Sequence, residues 1–194
     1  PGNATLTIVG DANNRDDVRK VFELTLAYFG EPDEIWVTVG KDGGWELDLP
    51  TDSEERHQEL WDKLYPSLLK PLEVVCPIAL EFLKKQGHGI LVHLSSHVAF
   101  KGEDELRGNY TYRKLKQAAE EVVLKMRKEL KGTKATAINL RPAIIDTPGN
   151  ASLLKTKKQK EEAVQPEELP EWVNKHAHDA DLPENHYFHS NVVI

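Results

Sequence analysis

The stretch that decides the fold is "HGILVHLSS", residues 88–96. Its centre is almost continuously apolar, which predicts a strand buried on both faces of a sheet. Two other segments have strand character: "EIWVTVG" at 34–40 and "TKATAINLRPAII" at 133–145. Helical patterns separate the three, and this alternation indicates a parallel sheet with helices on both faces.

Three segments between the strands carry the apolar spacing of amphipathic helices. They are residues 15–30, with acidic residues in the first turn, then 53–85, and 110–132, which ends at a glycine. An interior proline costs a helix about 3 kcal/mol, so we expect breaks or kinks in the second segment. Its prolines are Pro66, Pro71 and Pro77.

The two ends of the chain are interpreted in the same way. "ATLTIVGD", residues 4–11, is rich in β-branched residues and predicts a strand before the first helix. The polar stretch 148–194 predicts a short helix near 166–176 and a final strand at "SNVVI", residues 190–194. The predicted order is β-α-β-α-β-α-β within one α/β domain, residues 1–194.

Composition limits the binding partners and the cellular location that the sequence predicts. The 194 residues carry a net charge of −7, which argues against nucleic acid or an anionic membrane as main partner. No apolar run is long enough to span a bilayer. A single cysteine, Cys76, excludes an internal disulfide and fits a cytoplasmic location. Histidines in the tail match no known ligand spacing, so we expect no metal site.

The segment "NYTYRKLKQAAEE", residues 109–121, contains two overlapping copies of one spacing. Tyr110 and Lys114 are four residues apart, as are Tyr112 and Lys116, so each pair lies one helical turn apart on one face. An ammonium there can lower the pKa of the phenol and make it a usable acid or base. The same spacing is also common on solvated helices.

Residues that follow the strands form a second set of candidates, because parallel sheets bind ligands at their carboxyl ends. This set comprises Asp11, Gly40, Ser95, Ser96 and residues 142–147.

"GILVHLSS", the Y-x-x-x-K helix and "RPAIIDTP", in this order, resemble the short-chain dehydrogenase/reductase family. The resemblance covers roughly residues 5–148 and implies a Rossmann-like three-layer fold with a mostly parallel sheet. It makes residues 148–194 a substrate lid and tail. It also favours Tyr112 with Lys116, because a small residue, Ala118, follows the lysine by two positions. Tyr110 remains the second choice.

The resemblance implies NAD(P)-dependent carbonyl reduction or alcohol oxidation. Ser96 would hydrogen-bond the substrate oxygen, Tyr112 would transfer the proton, and Lys116 would lower the pKa of the tyrosine. Hydride chemistry belongs to the cofactor.

The cofactor contacts implied by the resemblance lie along the same edge of the sheet. Lys116 would hold the nicotinamide ribose, Thr147 would lie near the nicotinamide and Asp11 near the adenine. Gly40 and Pro142 complete the implied cofactor-binding residues.

The sequence departs from the family pattern at several points. No glycine-rich T-G-x-x-x-G-x-G turn is found, and the chain opens at what resembles the family's third strand, so we expect an N-terminally truncated form of the fold. The family's N-N-A-G is replaced by residues 37–40, "VTVG", its helix asparagine by Leu68, and a glycine by Ala143.

Two interpretations follow. The chain is an active oxidoreductase of this family, or a degenerate relative without dinucleotide binding. Such a relative would serve as a partner subunit or use Tyr112 for cofactor-free acid/base chemistry. By resemblance, the two long helices predict a homodimer or homotetramer.

Overall fold

The structure is a computed structural model that describes residues 4–40, 48–99, 109–177, 179 and 182–188. Four strands form one sheet in the order β1-β2-β3-β4, and every neighbouring pair is parallel. The strands are β1 (Glu34–Val37), β2 (His88–Leu94), β3 (Lys134–Pro142) and β4 (Asn185–Phe188). The predicted parallel α/β sheet is confirmed.

Within the described residues, six α-helices connect or precede these strands. They are α1 (Arg15–Phe29), α2 (Glu54–Leu68), α3 (Lys70–Gln86), α4 (Tyr110–Glu129), α5 (Lys157–Glu161) and α6 (Glu168–His176). Buried side chains of α1 to α4 pack on one face of the sheet, and those of α6 pack on the other. The three-layer, Rossmann-like arrangement is therefore confirmed. None of the described helices combines the length and apolar character needed to cross a bilayer.

The predicted break in the second helical segment falls at Leu69, between α2 and α3. Pro71 lies in the first turn of α3, where its missing N–H costs no helical hydrogen bond. Pro66 and Pro77 lie inside their helices. One proline position thus starts a new helix, and the other two are accommodated.

The strand predicted at residues 4–11 is wrong, because these residues have no strand pairing. Ile8 and Gly10 lie across a groove of about 260 Å³ from residues 36–39 and do not pair with β1. A strand needs a partner for its backbone groups, and among the described strands β1 pairs with β2 alone. The local β-propensity of residues 4–11 is therefore insufficient.

The tail gives a mixed result. The helix predicted at 166–176 is present as α6, whereas the strand predicted at 190–194 lies outside the described residues. The sheet instead gains β4, where Asn185 pairs in register with Asn139 of β3. "NHYF" has neither strong alternation nor β-branched residues, so its strand forms through tertiary pairing.

Candidate active site

The carboxyl ends of β1, β2 and β3 converge at one edge of the sheet. Val37 is in register with His93, and Leu94 is in register with Leu140. The chain leaves the sheet within a few residues of these pairs and continues into the predicted site residues. The parallel register therefore brings Gly40, Ser96 and Pro142 to a common edge.

Lys116 reaches this edge from the second turn of α4. Its side chain is buried, and Nζ donates a hydrogen bond of 3.2 Å to the backbone carbonyl of Leu94. Burial lowers the pKa of the amine to about 8, and the charge of Glu120 acts in the opposite direction. A Cβ placed on Gly40 would lie 3.9 Å from Nζ, so Gly40 borders the amine.

The two tyrosines occupy different surroundings. Tyr112 is half-buried against the core below α4, and Nζ of Lys116 lies 5.9 Å from the centroid of its ring. Tyr110 lies over His57 of α2, with 4.8 Å between ring centroids. Nζ of Lys114 is 5.3 Å from the Tyr110 ring, so both predicted pairs are in contact. The pair that includes the buried lysine is Tyr112 with Lys116.

The first turn of α4 is held by a residue that sequence reasoning missed. Asp48 is buried, and its carboxylate accepts hydrogen bonds from the backbone N–H and the hydroxyl of Thr111 at 2.9 Å and 2.5 Å. Asn109, at the N-cap position, makes no side-chain cap bond. Asp48 thus caps the helix from a distant part of the chain. Because Asp48 and Thr111 are 63 positions apart, the sequence around α4 gives no sign of this cap.

The two serines after β2 have different roles in packing. Ser96 is half-buried, and its hydroxyl accepts a long hydrogen bond of 3.4 Å from the N–H of Val98. Ser95 is buried, and its hydroxyl donates to Glu120 at 2.5 Å. Ser96, the predicted substrate-binding serine, therefore has a hydroxyl proton that its described contact does not use.

Below α4 lies a buried polar network that the sequence analysis did not identify. Arg141 binds both carboxylate oxygens of Glu120, Nε to Oε1 at 2.8 Å and Nη2 to Oε2 at 2.5 Å. Beside this ion pair, Nδ1 of His93 contacts Oδ1 of Asn139 at 2.9 Å. The spacing of four residues between Lys116 and Glu120 was the available signal, since it places both on one face.

His93 is neutral in this setting. Complete burial lowers its pKa to about 3, and the nearby charge of Lys116 acts in the same direction. Because Oδ1 of Asn139 can only accept, Nδ1 carries the proton and Nε2 is an acceptor. Within the described part of the chain, Nε2 has no hydrogen-bond partner.

An apolar cavity of about 280 Å³ opens on the opposite face of the same edge. Thr147 lines it together with Trp36, Thr38 and Leu94. Pro142 is the last residue of β3 and is buried. The structure thus gathers Thr147 and Pro142 near the end of β2, where Lys116 binds Leu94.

Asp11 is the residue expected near the adenine, and Leu68 is a departure from the family pattern. Asp11 is exposed beside the other groove, and its carboxylate accepts from the N–H of Asn13 at 2.8 Å. Leu68 is buried, and its Cδ2 lies about as close to the Gly40 Cβ position as Nζ of Lys116 does. An apolar side chain therefore borders Gly40, as the amine of Lys116 does.

Histidines of the tail make ring and ion contacts. The ring of Trp172 stacks on that of His186 with 3.9 Å between centroids, and His176 contacts Asp179 at 2.7 Å. No group of three or more potential metal ligands converges among the residues described.

Comparison with known proteins supplies the family. Residues 2–158 match the family model described as short chain dehydrogenase. This chain belongs to the short-chain dehydrogenase family. No curated protein matches it significantly.

Several solved structures share the short-chain dehydrogenase fold with it. An alcohol dehydrogenase from the archaeon Thermococcus sibiricus, complexed with 5-hydroxy-NADP, is 21% identical with a TM-score of 0.66, over 95% of this chain and 74% of that one. ElxO with NADP bound is 15% identical with a TM-score of 0.71, over 90% and 72%. A short-chain dehydrogenase from Streptomyces avermitilis is 14% identical with a TM-score of 0.69, over 93% and 69%. At these identities the likeness concerns the fold.

Proposed function

We propose that this chain is an oxidoreductase of the short-chain dehydrogenase type that interconverts a carbonyl compound and an alcohol with NAD(P). The observation that carries the proposal is the buried amine of Lys116 beside the ring of Tyr112, at the carboxyl edge of a parallel sheet. Family membership and the nicotinamide nucleotides held by two of the matched structures support it.

The residues present fit the nicotinamide end of such a cofactor. Lys116 offers a donor beside Gly40, and Thr147 lines an apolar cavity next to Leu94 that suits a flat ring. Lys116, Gly40, Pro142 and Thr147 would hold this end, and the bound nicotinamide would supply or accept the hydride.

The adenine end has less support among the described residues. The N-terminus of α1 lies near Asp11, but Asn14 already accepts its first N–H groups, and Asp16 and Asp17 occupy its first turn. Acidic side chains at that position repel a phosphate. Asp11 itself remains exposed and lines the groove between Ile8 and residues 36–39, which is compatible with an adenine contact.

Within this site we assign proton transfer to Tyr112. Its phenol would give a proton to the substrate oxygen during reduction and take one back during oxidation. At pH 7 an amine with a pKa of about 8 is mostly charged, and in this role the ammonium of Lys116 would favour the ionised phenol. The hydroxyl of Ser96 would hydrogen-bond the same substrate oxygen and orient it.

A second candidate function is acid/base chemistry or a partner-subunit role without dinucleotide. Leu68 favours it, because a buried apolar side chain that borders Gly40 cannot relay a proton. The acidic first turn of α1 favours it as well. Both candidates treat residues 1–194 as one domain, with 148–194 as lid and tail.

The proposal is tested by incubating the chain with NADH or NADPH and a panel of aldehydes and ketones. Consumption of the reduced nucleotide that depends on substrate, and that is lost in Tyr112→Phe, supports the dehydrogenase. No consumption with any pair of nucleotide and carbonyl contradicts it and favours the second candidate.

A further inference from the structure

Three parts of the candidate site meet at one carboxylate, that of Glu120. The residue lies one turn after Lys116 on α4, it accepts from Ser95 at the end of β2, and it binds Arg141 near the end of β3. Building on the proposed function, we propose that Glu120 is a positioning residue that fixes the lysine, the Ser96 loop and the loop after β3 relative to one another.

Each contact lies next to a residue of the candidate site. Ser95 directly precedes Ser96, and Arg141 directly precedes Pro142, which leads to Thr147. A displacement of the carboxylate would therefore move the substrate-binding serine and the cofactor-side loop together. Misplacement of a reacting group by about 1 Å can lower a rate by roughly a hundredfold.

The ion pair between Glu120 and Arg141 is largely buried. A contact that served only stability would not need to be an ion pair removed from water. The side chains of Glu120 and Arg141 are 5% and 11% exposed. Buried ion pairs often contribute no more stability than apolar residues of similar size, whereas they do fix one geometry. The two parallel bonds of the guanidinium fork specify the orientation of the carboxylate.

Glu120 also acts on the charge of Lys116. Its carboxylate raises the pKa of the amine against the effect of burial. From β2, the neutral imidazole of His93 faces the same region. The buried residues of α2 and α3 that pack against the core are uncharged, and burial raises the pKa of the Cys76 thiol to about 12. Glu120, one turn away on α4, thus favours the charged form of the buried lysine while it is paired with Arg141.

The test compares Glu120→Gln, Arg141→Lys and Ser95→Ala with the unchanged chain. Glutamine keeps the shape of the side chain and removes its charge, and Arg141→Lys keeps the charge of the partner without its fork. The first readout is the pH titration of the Lys116 side-chain nitrogen followed by NMR of ¹⁵N-lysine-labelled chain, which needs no cofactor and no access of a reagent to the buried amine. The second is kcat and KM for a carbonyl substrate that the unchanged chain reduces.

In Glu120→Gln we expect the titration of Lys116 to move down by about one pH unit. We also expect kcat to fall by about tenfold or more, with KM changed less. Ser95→Ala should lower kcat by a smaller factor and leave the lysine titration in place, because it removes one contact and no charge. Arg141→Lys should retain more activity than Glu120→Gln.

An unchanged Lys116 titration together with an unchanged kcat in folded Glu120→Gln would overturn the proposal. If Glu120→Gln does not fold, Ser95→Ala with unchanged kcat and KM overturns it instead. If the chain reduces no carbonyl compound, the proposed function fails on its own. The NMR titration of Lys116 then still decides whether Glu120 controls the protonation of the lysine.

Discussion

The amine of Lys116 donates a 3.2 Å hydrogen bond to the carbonyl of Leu94, the last residue of β2. This contact joins the helix that carries Tyr112 to the strand that leads into Ser96. A buried amine at the carboxyl edge of a parallel sheet costs stability, as groups that serve chemistry often do.

Replacement of Tyr112 by phenylalanine should lower kcat by roughly 10²- to 10⁴-fold, the usual contribution of a general acid or base. Tyr110→Phe is the matched control, because Tyr110 lies over His57 and contacts a different lysine. We expect its kcat to stay within about threefold of the unchanged chain. Steady-state kinetics of both variants with one carbonyl substrate make the comparison. The reverse order of effects would assign proton transfer to Tyr110.

Lys116→Met should stabilise the fold and abolish activity. The folded-state pKa of about 8 lies below the ordinary 10.5, so protonation of Lys116 costs stability below pH 8 and this cost fades as pH rises toward 10.5. The cost is about 3 kcal/mol at pH 7, and loss of the bond to Leu94 offsets about 1 to 2 kcal/mol of it. We expect the free energy of unfolding in urea to rise by about 1 kcal/mol or more.

Lys125→Met is the control for that measurement, because Lys125 is exposed on the same helix. Its effect on unfolding should stay within about 0.5 kcal/mol. Clear destabilisation of Lys116→Met relative to Lys125→Met would show that the buried ammonium holds the fold together, contrary to this account.

His93 should make stability depend on pH in the acid range. Its folded-state pKa of about 3 lies below the ordinary 6.5, so stability is full above pH 6.5 and falls as pH decreases from 6.5 toward 3. One such group contributes a slope of up to about 1.4 kcal/mol per pH unit. His93→Gln can still donate to Asn139 and should remove that slope when urea unfolding is measured at pH 7 and pH 5.

His88→Gln serves as the control for His93, because the His88 side chain is 42% exposed at the start of the same strand. We expect its pH dependence to match that of the unchanged chain. Equal slopes of unfolding free energy against pH for His93→Gln and His88→Gln would contradict this prediction. They would mean that burial does not oppose protonation of His93.

Asp48→Ala should destabilise the start of α4. The substitution leaves the N–H and hydroxyl of Thr111 without their acceptor, which costs about 2 kcal/mol. Asp62→Ala removes an exposed carboxylate from α2 and should change urea unfolding by less than about 0.5 kcal/mol. Similar values for the two variants would show that Asp48 does not cap the helix.

Much of the fold could be predicted because its signals are local. The continuous apolar run of β2 and the helical spacing around it fix a parallel sheet, and Pro71 marks a helix start. Residues 4–11 have strand propensity as well, but a strand also requires a partner, and propensity carries no information about partners. The same limit hid β4, whose partner is β3.

The candidate site could be predicted in part. Spacing leaves two Tyr–Lys pairs open, and the family resemblance selects Tyr112 with Lys116 and Ser96 after β2. Their proposed roles await the experiments above. Asp48 and Arg141 escaped notice because each acts through a contact with a distant segment. Sequence spacing predicts which residues are neighbours on one helix. The network below α4 instead joins residues of α4 to residues at the ends of β2 and β3, which spacing does not predict.

The most direct test of the proposal that the chain binds NAD(P) is a titration with NADH and with NADPH. Binding is followed by tryptophan fluorescence and by calorimetry. Trp36 lines the cavity next to Leu94 and should report a bound nicotinamide. The account predicts saturable binding with a Kd below about 1 mM, weakened by about tenfold or more in Lys116→Met. Absence of binding up to about 10 mM of either nucleotide would contradict the dehydrogenase and leave cofactor-free chemistry or a partner-subunit role.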